Sequence, residues 1–173
     1  MTFTQGGMPA LAGTARFDST MFSNEWRLLA ADREVARLRR VPSRHTSAVA
    51  LEDGRRFDLR PAGWGTVVAF EGDQERYRIE RRSWLGRRFE VSGSGFAAGV
   101  TSDLTPRRWT IRVGGEPVGR IAGTLWSYNR IEAHADIAVP VGALALMWHV
   151  LARPWEAASA PGVLRPIGDS LTT

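Results

Sequence analysis

The stretch Val139-Pro140-Val141-Gly142-Ala143-Leu144-Ala145-Leu146-Met147-Trp148-His149-Val150-Leu151-Ala152 carries one imidazole and otherwise no polar side chain. It has no period-two alternation, and Leu144, Leu146 and Met147 are good helix formers. Pro140 suits a first helical position, and Asp136 lies upstream near the positive end of the helix dipole. Arg153 closes the last turn and Pro154 stops it. The pattern predicts a helix over about 140–153, about 21 Å long at 1.5 Å per residue. A helix without a polar stripe is buried on all sides or sits in lipid. The uninterrupted apolar run, Ile137 to Ala152, is 16 residues long. It falls short of the ~20 residues that span a bilayer, so the helix is read as enclosed by protein and not transmembrane.

The enclosing material is β. Phe57 and Leu59 alternate with Arg56, Asp58 and Arg60, and Tyr77 and Ile79 alternate with Arg78, Glu80 and Arg82. Phe89 and Val91 alternate with Arg88 and Glu90. Trp109, Ile111 and Val113 alternate with Arg108, Thr110 and Arg112. This period marks strands with one dry face and one wet face. Turn signals separate them at Asp53-Gly54, Glu71-Gly72-Asp73, Gly93-Ser94-Gly95 and Gly114-Gly115. A barrel of about eight strands is just filled by side chains, so a wider one needs a filler, and a helix ~10–12 Å across serves as one. The expected fold is mainly β: a closed antiparallel barrel of about 12 strands around one buried apolar C-terminal helix.

An internal echo supports a hairpin-built barrel. Trp26-Arg27-Leu28 leads to Val35-Ala36-Arg37-Leu38, and Trp109-Thr110-Ile111 leads at the same spacing to Val118-Gly119-Arg120-Ile121. A strand, a turn and a returning strand produce the pattern, with the Trp as core anchor and the small residue admitting a bulge. Chance similarity between two hairpins is the alternative. Gly6, Gly7, Pro9 and Gly13 make residues 1–13 read as a flexible arm. The barrel domain is expected over 14–155, and residues 156–173, with Pro161, Gly162, Pro166 and Gly168, read as an irregular tail.

The chain has 173 residues, no cysteine and a net charge of +5, with all 23 basic residues arginine. One domain of this size needs no staple. Disulfides and thiolate metal sites are excluded, and a reducing compartment is tolerated. Positive balance favours anionic partners. Arginine without lysine fits either a GC-rich coding sequence or a preference for bidentate contacts to phosphate and carboxylate. No basic region followed by an apolar stretch opens the chain, so no secretory signal is read, and a cytoplasmic location is expected.

The Trp26 and Trp109 hairpins, the Glu52-Asp53-Gly54-Arg55 turn and the segment from Ile137 to Leu146 together resemble the tubby C-terminal-like superfamily. The chain is similar above all to its LURP-one-related members and to phospholipid scramblases. The resemblance covers nearly all of Thr14 to Ala152 and implies a twelve-stranded barrel around a central helix. For tubby proteins it also implies phosphoinositide binding at a basic outer patch, and for scramblases a membrane-associated role. The sequence departs from both. It has no lysine-arginine pair of the tubby site, no calcium-binding segment, no cysteine-rich palmitoylation stretch and no proline-rich arm. Fold carries over more readily than function.

Catalytic and metal signals are thin. Gly93-Ser94-Gly95-Phe96-Ala97-Ala98 has the form G-x-G-x-x-A, but Gly99-Val100-Thr101-Ser102-Asp103 beyond it is too short and too β-like for a helix, so a hairpin turn is expected. His134 and Asp136 share a strand face without a third ligand nearby and read as surface polar residues. His149 reads as a core imidazole bonded to a backbone group, or else as a polar group facing a ligand cavity. Asp32, Glu34, Asp53, Asp58, Glu80 and Glu90 sit among arginines, where cross-strand ion pairing accounts for them. The expectation is a non-enzymatic protein without cofactor or metal.

The arginines are the functional lead. Arg37, Arg39, Arg40 and Arg44 form one cluster. Arg76, Arg78, Arg81, Arg82, Arg87 and Arg88 form a second around Ser83-Trp84-Leu85-Gly86. A charged rim with an aromatic tip suits a membrane interface, where Arg meets lipid phosphate and Trp sits at headgroup depth. The candidate ligand-binding residues are Arg81, Arg82, Trp84, Arg87, Arg88, Arg37, Arg39 and Arg40. The bland reading is a solvated face balanced by Glu71, Asp73, Glu75, Glu80 and Glu90. The expected partner is an anionic membrane surface or phospholipid, bound peripherally. A protein partner is the alternative, and single-stranded nucleic acid or an enzymatic role is less favoured.

Overall fold

A computed structural model describes residues 2–5, 8–20, 23–41, 45–103, 107–123 and 129–152. The strands run in order β1 (Thr2–Gln5), β2 (Met8–Ser19), β3 (Glu25–Ala30), β4 (Arg33–Val41), β5 (Thr46–Leu51), β6 (Arg56–Pro61) and β7 (Thr66–Glu71). They continue with β8 (Gln74–Arg81), β9 (Arg88–Gly93), β10 (Phe96–Ser102), β11 (Arg108–Val113), β12 (Glu116–Gly123) and β13 (Arg130–Pro140). The one helix among the described residues, α1, spans Val141–Leu151. Each strand from β2 to β13 pairs antiparallel with its sequence neighbours, and β13 pairs back onto β2, which closes a twelve-stranded barrel. Closure leaves no open edge in that ring.

The alternation of the sequence is the alternation of the wall. Phe57, Leu59, Tyr77, Ile79, Val91 and Ile111 are buried inside, and Phe89, Trp109 and Val113 pack against the same core from partly buried positions. The Gly93-Ser94-Gly95 segment is the tight turn between β9 and β10, as its chemistry predicts. The Trp26 and Trp109 hairpins are equivalent in three dimensions as well as in sequence. Trp26 faces Leu38 and Leu28 faces Ala36; Trp109 faces Ile121 and Ile111 faces Gly119. In each the register shifts immediately after the Leu28 or Ile111 pair, leaving Val35 or Val118 as the extra residue of a β-bulge. A third bulge of the same kind follows the Ala69–Tyr77 pair between β7 and β8, with Arg76 as its extra residue. The three bulged hairpins recur every fourth strand around the barrel. Bulges sharpen local twist and help a sheet curl into a closed ring.

The helix fills the lumen. Pro140 ends β13 and serves as N-cap, so the chain turns straight from the wall into the interior. Every helical residue except Val150 is buried. Trp148 stacks on Phe17 at 5.9 Å between ring centres and meets Trp26 edge-on at 5.5 Å. Such a fully buried aromatic contributes on the order of 1.5–3 kcal/mol by area alone. Gly142 lies where a β-carbon would sit 2.7 Å from Cε2 of Tyr77, so the absence of a side chain lets the first turn pass the wall.

The N-terminus corrects the expectation of a flexible arm. Residues 2–5 form β1 and residues 8–13 are part of β2, with Met8, Ala10 and Leu11 buried. Leu11 pairs with Val139 and Ala10 with Pro140, so this segment lines the end of the barrel where the helix begins. Glycine and proline mark a loose arm only where apolar neighbours lack a surface to cover. Here the helix entrance supplies that surface. The expected tail, residues 156–173, lies outside the described residues.

Candidate functional site

The two ends of the barrel differ. Strands connect through two to four residues at the end where the helix starts and through four to six at the other. At the long-loop end the β6–β7 and β8–β9 connections lie side by side, because β7 and β8 are neighbours. Trp64 projects from the first and Trp84 and Leu85 from the second, at 73%, 80% and 74% exposure. The two indoles are 6.2 Å apart, inclined by 32°. The result is one apolar tip built from two hairpins.

The sequence pointed to Trp84 but not to Trp64. The available signal was Gly63-Trp64-Gly65, a large aromatic between two glycines in a turn, outside any alternating strand pattern that would bury it. Gly65 has φ +71°, a left-handed conformation favouring glycine, and a β-carbon there would lie 2.9 Å from Cβ of Arg81.

The arginines of this hairpin separate into three kinds. Arg81 turns back onto its own turn: Nε donates to the Ser83 carbonyl at 2.8 Å, and Nη2 donates to the Trp84 carbonyl. Its guanidinium carbon is 5.1 Å from the centre of the Trp64 ring. Arg82 is held by Glu80 at 2.8 Å and by Glu90 at 2.8 Å. Arg87 and Arg88 are both exposed and, among the described residues, carry no ion pair. Their backbone amides both donate to Ser83 Oγ, at 2.8 and 3.0 Å, which fixes the outgoing strand. Further along the wall Arg76 pairs with Glu71 and Arg78 with Glu75. The Glu75 hydrogen bond holds the Arg78 guanidinium above its ordinary pKa. Local acids therefore neutralise much of the second cluster, and Arg87 and Arg88 remain available.

The first cluster does not join the second. Strand β4 is four strands from β8, about 19 Å around the wall at ~4.8 Å per strand. Within it the side chains divide by parity. Arg37 faces out and pairs with Glu34 at 3.0 Å, and Arg39 faces out and is exposed. Arg40 points into the barrel at 8% exposure, which corrects its reading as a surface contact. Its guanidinium lies 4.5 Å from the Trp148 ring centre, and Nη2 donates to the His149 carbonyl at 3.5 Å. Arg44 lies outside the described residues. A depression of about 590 Å³ at the long-loop end is bordered by Ser23, Asn24, Glu25, Arg39, Arg40 and Val41.

His149 and His134 both sit in hydrogen-bonded positions. His149 is a core imidazole, and its Nδ1 shares a 2.7 Å hydrogen bond with Ser47 Oγ inside the barrel. His134 lies on the outer wall between Thr14 Oγ1 and Asp136 Oδ1, each at 3.2 Å. Among the described residues, no group of three His, Cys, Asp or Glu side chains is placed to hold a metal ion. Among them, too, no helix is long and apolar enough to cross a membrane. No family model matches this chain, and neither a curated protein nor a solved structure matches it.

Proposed function

We propose that this chain is a tubby-like barrel that acts by binding, and that it docks peripherally on anionic membrane surfaces through the Trp64, Trp84 and Leu85 tip. One observation carries the reading: two adjacent hairpins present paired, exposed indoles beside Arg87 and Arg88, whose charges no acid among the described residues offsets. Indoles favour the headgroup region, where the ring is partly dehydrated and the N–H stays bonded. Each arginine near an anionic leaflet adds about 1 kcal/mol of attraction. Arg37, Arg39 and Arg40 have no part in this contact. A closed twelve-stranded barrel around one helix supports kinship with the tubby-like superfamily, and a docking site at the loop tip differs from a phosphoinositide patch on the outer wall.

Co-sedimentation with vesicles tests the reading. Binding to phosphatidylserine-containing vesicles is expected at low salt, weakening as salt screens the arginines. Pure phosphatidylcholine vesicles are expected to bind far less. Trp64→Ala with Trp84→Ala is expected to abolish binding without loss of fold, since neither ring is in the core. Equal binding to both vesicle types, or none to either, overturns the reading. In that case the exposed tryptophans favour a protein partner, because indole and guanidinium groups dominate protein interface energetics.

A further inference from the structure

We propose that Arg81 is a positioning residue that clips the two hairpins together and presents Trp64 and Trp84 as one preformed surface. The clip rests on the membrane reading for its purpose, but its geometry stands alone.

Four contacts converge on this one residue. Its backbone N–H donates to the Gly65 carbonyl at 2.8 Å, which ties the end of β8 to the β6–β7 turn. Its Nε and Nη2 hold the Ser83 and Trp84 carbonyls of the β8–β9 turn. Its guanidinium lies against the Trp64 ring. Gly65 leaves room for the stem, since any side chain there would meet Arg81 Cβ. Two of the five guanidinium N–H groups thus go to backbone carbonyls and one face to an aromatic ring, within its own protein. These contacts fix where the guanidinium sits, and so give it a positioning role that its place among the arginines of the turn does not suggest.

The purpose of such a clip is entropic. Two tryptophans on separate turns sample rotamers independently, and a surface that engages both must order both. Immobilising a side chain at the moment of binding is a penalty on affinity, and ordering both indoles in the free protein removes it. Lysine cannot substitute, because a compact ammonium cannot lie flat on the ring while donating along two fixed directions.

The test uses Arg81→Lys, which keeps the charge and removes the fork, with Arg82→Lys as control. Arg81→Gln serves as a second variant should Arg81→Lys unfold. Closely spaced indoles give an exciton couplet in circular dichroism, assigned by its loss in Trp64→Phe. Arg81→Lys is expected to lose the couplet, keep its melting temperature within a few degrees of Arg82→Lys, and bind phosphatidylserine vesicles about threefold to tenfold more weakly. Its salt dependence is expected to match the parent, because charge is unchanged. A retained couplet in Arg81→Lys overturns the proposal, as does a lost couplet with undiminished vesicle binding. If the parent shows the couplet but binds no vesicles, the membrane reading falls, and the couplet in Arg81→Lys still decides whether the clip exists.

Discussion

Arg40 reaches from the end of β4 into the barrel and lays its guanidinium 4.5 Å from the centre of the Trp148 ring, in the last turn of the enclosed helix. The same group donates to the carbonyl of His149. A cation there faces the negative end of the helix dipole, and its apolar stem packs while its head meets polar groups. Arg39, one residue earlier, is exposed on the outside of the same strand. Adjacent arginines therefore do unrelated work.

Stability separates these two. Arg40→Ala removes a desolvated cation–π contact and a helix-end donor, and is expected to cost about 2 kcal/mol or more. Arg39→Ala is expected to stay within about 0.5 kcal/mol of the parent. Urea midpoints measure both. Equal effects would show that the inward orientation of Arg40 carries no energetic weight.

The helix entrance is sterically tight. Gly142→Ala puts a methyl group 2.7 Å from Cε2 of Tyr77 and 3.3 Å from Cε2 of Phe57. Overpacking of this kind costs about 1–3 kcal/mol, more than alanine's better helix propensity returns. A thermal midpoint at or above the parent's would mean that the helix can slide along the lumen.

Tyr77 gives the barrel an alkaline limit. Burial, the largest cause, pushes its hydroxyl pKa above the ordinary value, and Ser94, Arg76 and Arg55 oppose the shift. A raised folded-state pKa means the neutral hydroxyl stabilises the fold fully below the unfolded value of about 10. That contribution is lost as pH rises through the folded value. Tyr77→Phe is expected to lose less stability than the parent as pH rises above about 10 in denaturant titrations. Parallel pH profiles for the two proteins would rule out this origin.

Ion pairing grades the arginines at the tip. Arg87→Ser with Arg88→Ser is expected to weaken binding to phosphatidylserine vesicles by about tenfold or more and to flatten its salt dependence. Arg82→Ser is expected to change it much less, because Glu80 and Glu90 already hold that charge. A loss with Arg82→Ser as large as with the Arg87 and Arg88 pair would mean that those ion pairs open at the membrane.

The barrel wall was legible because its cause is local. Tyr77 and Ile79 alternate with arginines and glutamates, and a period of two puts them inside wherever the strand lies. Two of three bulged hairpins were legible as well, through Trp26 and Trp109. The third escaped because Val67 stands where those tryptophans stand, and a valine gives no distinctive mark. The Arg81-to-Arg88 segment was recognisable as an exposed turn, but the roles of its arginines were not. Neutralisation of Arg82 by Glu90 spans two strands, and the stacking of Arg81 on Trp64 spans two hairpins.

By itself the sequence determined that a helix apolar on every face had to be enclosed, and that short amphipathic strands were the only material to enclose it. Burial and period are properties of single segments, so they survive without knowledge of neighbours. Tertiary structure alone decided that residues 8–13 line the barrel end where the helix begins, that Arg40 turns inward, and that Trp64 joins Trp84. Those outcomes depend on which strands become adjacent and on the parity with which each one meets the wall, and no single segment encodes either.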